Sequence, residues 1–158
     1  MRFLDRRAAT PDDLAVTAVS DILDQKGRNV ISIDGDASVF DAVKVMVDAN
    51  VGAVLVTGGG GIEGIFTERD YLRRIAVEGR TSRDTKVRDV MSAPVIVVTP
   101  QTSVEETMAI MTDRKIRHVP VVVEGDVAGV VTIGDLVAHQ SRQQSFQIQY
   151  LTEYISAR

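Results

Sequence analysis

The sequence contains no cysteine and no tryptophan, and only 4% of its residues are aromatic. Without cysteine there is no disulfide, no thiol nucleophile and no thiolate-bound zinc. Histidine is scarce too, with His118 and His139 alone, too few for a histidine-rich metal site. A basic excess is also missing. Eighteen Lys and Arg stand against 22 Asp and Glu, a net charge of −4 and a pI near 5.2. That balance argues against a nucleic-acid partner, although it leaves room for a small basic pocket. No apolar run approaches the roughly 20 residues that a membrane-spanning helix needs. The opening MRFLDRRAATPDD lacks the apolar stretch of a secretory signal. The expectation is a soluble, cytoplasmic protein without a membrane partner.

What is present is an ordinary globular composition. Hydrophobic residues make up 44% and charged residues 25% of 158 positions, enough for one domain or for two halves sharing a core. With so few aromatics, Val, Ile and Ala must build that core. Their branched side chains favour a mixture of strands and helices.

The chain repeats itself. Shifting it by 65 positions lays Val30–Leu72 on Val95–Val137 without a gap, and twelve of the 43 positions are identical. Among them are Ser38/Ser103, Met46/Met111, Gly64/Gly129, Thr67/Thr132 and Asp70/Asp135. A shorter match, Val19–Leu23 on Val87–Met91, precedes each unit. Each unit reads as β-α-β-β-α. Strands are expected at Val30–Ile33 and Val95–Val98. Ser38 and Ser103 are good helix caps for Val39–Ala49 and Val104–Lys115, with Asp41 and Glu106 at the capping-box position. Hairpins follow at Ala53–Thr57 with Gly64–Thr67, and at His118–Val123 with Ala128–Thr132. Closing helices are expected at Glu68–Val77 and Gly134–Gln143.

The domain boundaries implied are a helical extension over 1–18, units over 19–78 and 87–141, a polar linker over 79–86, and a C-terminal helix over 142–158. Thr10, Pro11, Asp12 and Asp13 suggest a helix start in the extension, with Val16 continuing the apolar spacing. In the C-terminal helix Phe146, Tyr150, Leu151, Tyr154 and Ile155 form one broad apolar face, expected to pack on the core or on another subunit.

Gly59–Gly64 satisfies G-x-G-x-x-G, but strands flank it on both sides, so it reads as a hairpin turn and not a dinucleotide loop. There is no nucleophile elbow, Walker lysine or H-E-x-x-H, and an enzyme is not expected. The chemistry falls on the repeated Gly-x-x-Thr-x-x-Asp, GIFTERD at Gly64–Asp70 and GVVTIGD at Gly129–Asp135. One reading is structural: Thr caps a helix and Asp completes the capping arrangement. The other is a ligand site, because a carboxylate beside a hydroxyl can accept both hydroxyls of a ribose. The glycine would then let a nucleotide approach the backbone.

The tandem unit ending in this motif resembles the CBS domain, named after cystathionine β-synthase, and a fused pair resembles a Bateman module. The likeness covers about Val19–Gln140, and what remains is short for a catalytic domain, so a stand-alone CBS pair is expected. The resemblance implies an α+β fold of two units related by a pseudo-twofold, with flanking helices. It implies two clefts for adenosine-containing ligands: AMP first, with ADP, ATP, NAD or S-adenosylmethionine as alternatives. It implies a homodimer of modules and a regulated partner protein.

Carried over residue by residue, the resemblance puts Thr67 and Asp70 on the ribose of a first site. Its base would rest on Ser92, Pro94, Val95 and Ile96 and on Val119 and Pro120. Arg117 and His118 would meet the phosphate with help from Arg69. In a second site Thr132, Gly134 and Asp135 would hold the ribose, with Arg28, Asn29, Val30, Ile31, Ala53 and Val54 around the base. Gly52 and Ala53 stand where the other unit has Arg117 and His118, so the second site lacks that clamp unless Lys26 or Arg28 replaces it. Unequal sites are expected. Arg117 and His118 also have plain readings, as a solvated arginine and a structural histidine. The leading function is a regulatory sensor of adenine nucleotides; the alternative is an interaction scaffold with a fixed structural nucleotide.

Overall fold

The computed structural model describes residues 17–157; the expected helix start at Thr10–Asp13 lies outside them. Helix α1, Val19–Lys26, leads into strand β1, Ser32–Asp34. Helix α2, Val39–Ala49, follows, then the hairpin β2, Ala53–Gly58, and β3, Gly61–Thr67. A single turn, α3, Glu68–Asp70, runs on as a π-helix over Tyr71–Ala76. A short 3₁₀ turn, Val87–Asp89, opens the second half. It continues through helix α4, Val104–Arg114, the hairpin β4, His118–Val123, and β5, Asp126–Thr132, and ends in helix α5, Ile133–Ser156.

Local chemistry explains most of these elements. Ser38 and Ser103 each accept from the backbone N–H three residues on, Asp41 and Glu106, so α2 and α4 start at the same repeat position. Asn50 and Lys115 end them in the left-handed conformation. Gly59 and Gly60, with φ of 55° and 96°, turn the first hairpin, which disposes of the dinucleotide loop. Both hairpins shift register at the same repeat position, Val56/Thr57 and Val121/Val122.

The repeat is not equally complete. In the first unit β1 pairs in parallel with β2, Ile33 opposite Val56, giving three strands in the order β1-β2-β3. In the second unit the expected strand Val95–Val98 shrinks to one parallel pair, Val98 with Val121. The ladder has little room. Ser92 is already paired with Ile65 of the first unit, and Thr99 turns back on Thr102. The expected break near Gln143 is also absent. One 24-residue helix runs from Ile133 to Ser156, since neither Gly nor Pro follows Gly134. Its far half does not fold back on the body: Phe146, Tyr150, Leu151, Tyr154 and Ile155 are all exposed.

Two cores result, and each borrows from the other unit. Val19, Ile22 and Leu23 of α1 are buried with Val104, Met111, Val119 and Leu136. Val87 and Val90 are buried with Val39, Met46, Val54 and Phe66. The segment preceding each unit therefore completes the opposite core. Backbone bridges hold the exchange, Ala18 with Ser103 and Ser38 with Lys86, at matching points of the repeat.

The motif glycines belong to this exchange. A Cβ on Gly64 would lie 2.5 Å from Met91 Sδ and 2.7 Å from the Ser92 carbonyl oxygen. A Cβ on Gly129 would lie 2.7 Å from Leu23 Cδ2. The space expected to admit a nucleotide is filled by the incoming segment, and glycine is needed for that packing.

Candidate functional site

The repeated Thr and Asp form the predicted caps. Thr67 and Thr132 each accept from the Asp backbone N–H three residues on, at 3.2 and 3.1 Å. Each Asp returns one carboxylate oxygen, Oδ2, to the Thr backbone N–H, at 3.0 and 2.9 Å. The other contacts differ. Asp70 is 6% exposed; its Oδ2 also accepts from Thr67 Oγ1, and its Oδ1 accepts from Ser92 Oγ at 2.9 Å. Asp135 keeps a quarter of its side chain exposed, and its Oδ2 receives Lys26 Nζ at 2.6 Å. Lys26 also donates to the Val130 carbonyl at 2.8 Å. Burial works against the Asp135 charge, but the hydrogen bonds from Lys26 and Thr132 outweigh it and hold its carboxyl below the usual carboxylate range.

Two clefts open where the units meet. The first, of about 320 Å³, brings Thr67 and Arg69 from one unit to Lys115, Arg117 and His118 from the other. Ile65, Leu72 and Ile116 supply its apolar wall. Arg69 Nη1 crosses the boundary to the Lys115 carbonyl at 3.2 Å. The second cleft, of about 490 Å³, is lined by Lys26, Asn29, Ile31, Ala53, Val54 and Thr132, with Asn50 and Val130. Both volumes fall in the range of small-molecule sites.

His118 lines both clefts. It stands opposite Thr132 across the β4–β5 ladder, and a Cβ added to Gly52 would be 3.5 Å from its ring. Burial pushes its pKa down, as do Lys26 and Arg117, and Glu68 and Asp135 oppose them only in part. At neutral pH the imidazole is therefore uncharged.

Other expected residues lie elsewhere. Asp70, Asp135, Ser92, Pro94, Val95 and Ile96 are not among the residues lining the two clefts; the two Asp stand behind the cleft-lining Thr67 and Thr132, and Ser92 is spent on Asp70. Val119 is fully buried in the second core and Pro120 is buried beside it, so their side chains offer no exposed face to a base. Arg28 is exposed and paired with Asp24 at 2.6 Å, and neither it nor Val30 is among the residues lining the second cleft. Gly134 is exposed in the first turn of α5. Lys115 and Asn50, missed in the sequence, enter the clefts as the αL residues that end α4 and α2. The repeat alignment had set them opposite each other.

Comparison with known proteins agrees with this architecture. The family model described as the CBS domain matches residues 19–77 and again 87–142. A mitochondrial CBS domain-containing protein of Arabidopsis thaliana is 43% identical over 151 residues, 88% of this chain and 72% of the relative. One from Bacillus subtilis is 30% identical over 127 residues, 80% of this chain and 90% of the relative. Among solved structures, a candidate signal-transduction protein with CBS domains from Burkholderia ambifaria superposes with a TM-score of 0.74 at 41% identity, covering 77% of this chain and 91% of that one. A hexameric CBS-CP12 protein from bloom-forming cyanobacteria gives 0.70 at 27% identity, over 77% and 70% of the two chains.

Proposed function

Because the chain belongs to the CBS-domain family, we propose that it is a regulatory module whose two clefts bind adenosine nucleotides and whose occupancy is read by a partner protein. CBS pairs are in general regulatory, ligand-binding modules. Among the described residues no helix is long and apolar enough to cross a membrane. AMP is the ligand the first cleft suits best.

The observation that carries the reading is the cation cluster around Thr67. Arg69, Lys115 and Arg117, from both units, line a cleft with an apolar wall and outnumber its one carboxylate, Glu68. Such a site can hold a flat base on one side and a phosphate on the other. Because the lining comes from both units, a ligand there would bias their relative placement. Signalling then requires different affinities in two arrangements of the pair. A homodimer belongs to the same proposal, and the exposed apolar half of α5 supports it.

Native mass spectrometry of the protein as purified, followed by calorimetric titration with AMP, ATP and NAD, tests the reading. A co-purified or micromolar adenosyl ligand supports it. No binding of any adenosine compound overturns it and leaves an interaction scaffold.

A further inference from the structure

The two clefts differ in how the carboxylate beside each is met: neither Asp70 nor Asp135 lines a cleft, but each closes the cap of a threonine that does, Thr67 or Thr132. In the first, the Asp70 carboxylate is satisfied by neutral donors, Thr67 and Ser92. The cleft cations Arg69, Lys115 and Arg117 make no hydrogen bond to it in the structure. In the second, Lys26 is the cation lining the cleft, and its ammonium group already sits on Asp135. Carboxylate and cation are here one ion pair. Among the described residues Asp135 Oδ1 accepts no hydrogen bond, so Lys26 covers one oxygen and leaves the other.

We propose that Lys26 is the selectivity element of the second cleft, covering Asp135 until a phosphate draws it away, so that this cleft takes phosphorylated adenosines and disfavours uncharged adenosine. The inference rests on the nucleotide reading above. An uncharged nucleoside offers hydroxyls to Asp135 but gives the ammonium nothing in return, so it must compete with a charge-assisted contact of 2.6 Å. A phosphate on the same ribose supplies a replacement anion. Lysine suits the exchange, because its charge sits on a flexible four-carbon stem that can swing between two anions. Its position in the last turn of α1, followed by Gly27 with φ of 98°, puts the stem at a helix end. The Lys26 and Asp135 side chains are 35% and 25% exposed, so the stem borders solvent and has room to move.

Adenosine and AMP titrations of the wild type, Lys26→Met and Lys26→Arg test the proposal. They are followed through the amide signals of Ala53, Val54 and Thr132, which line this cleft and not the first. The AMP-over-adenosine preference should fall about tenfold or more in Lys26→Met, with adenosine itself binding more tightly, and persist in Lys26→Arg. Thermal midpoints of all three proteins establish that the variants are folded. A preference unchanged within twofold in a folded Lys26→Met protein that still binds AMP here would overturn the proposal and leave the nucleotide reading intact. Failure of adenosine and AMP to bind either cleft of the wild type would overturn that reading, and this inference with it.

Discussion

Asp70 and Asp135 occupy the same point of the repeat and close the same capping box, yet one is shut in and the other partly open. Asp70 is buried against Ser92, which arrives on the segment after the 3₁₀ turn. Asp135 faces Lys26, which arrives on α1. In each unit the motif builds the cap, and the segment exchanged from the other half decides its chemistry. Duplication supplied two equal frames. The two incoming segments, which share little beyond their apolar residues, made them unequal.

The sharpest way to stress this comparison is at the motif glycines. Gly64→Ala forces a methyl group onto the Ser92 backbone and Met91, whereas Gly129→Ala meets only the movable end of Leu23. Chemical denaturation should show Gly64→Ala costing about 3 kcal/mol and Gly129→Ala about 1 kcal/mol. Equal losses would mean that the two exchanged segments pack alike.

The aspartates come next. Asp70→Ala strands buried donors from Thr67 and Ser92 and should cost about 2–3 kcal/mol of stability. Asp135→Ala breaks a cap and a partly exposed ion pair and should cost about 1 kcal/mol. Added salt should shrink the ion-pair part of the second loss and spare the first, which denaturation at low and high ionic strength would resolve. The Asp135 carboxyl is held below its usual range, so its contribution is complete above the ordinary carboxylate value near pH 4 and is lost as pH falls through the lower folded value.

Where the halves are alike, mutations should be alike. Ser38→Ala and Ser103→Ala each remove one cap of matching geometry and should each cost about 1 kcal/mol. A clear difference in their denaturation midpoints would show that the asymmetry reaches beyond the clefts.

The smallest effect concerns pH. His118 is held neutral by burial and by its cationic neighbours. A phosphate beside it would raise its pKa, so binding would take up a proton. Affinity for AMP should therefore rise as pH falls from about 7.5 to about 6.5, above the range near pH 6 where the phosphate takes up its own second proton, while adenosine shows no such gain. Calorimetry across that range reads both.

Much of this was legible because it is local. Serine caps, the turn glycines and the alternation of the hairpins each act within a few residues, so helices α2 and α4 and both hairpins could be placed from the sequence. The Thr–Asp caps were legible for the same reason. The exchange was not. The match of Val19–Leu23 to Val87–Met91 showed that the segments correspond, but not that each enters the opposite core, because that contact spans more than 80 residues for α1. The purpose of Gly64 and Gly129 was hidden with it, as was the Lys26–Asp135 pair. The unbroken α5 did leave a signal, in the absence of Gly and Pro after Gly134. The π-helical turns at Tyr71–Ala76 left none.

The most direct test of the account is a calorimetric titration of AMP into the wild-type protein, repeated with Arg117→Ala. The account predicts two classes of site of unequal affinity in the wild type. Removing Arg117 should weaken only the tighter class, by about tenfold or more. Two equal sites, or a wild type that binds no AMP, would contradict it.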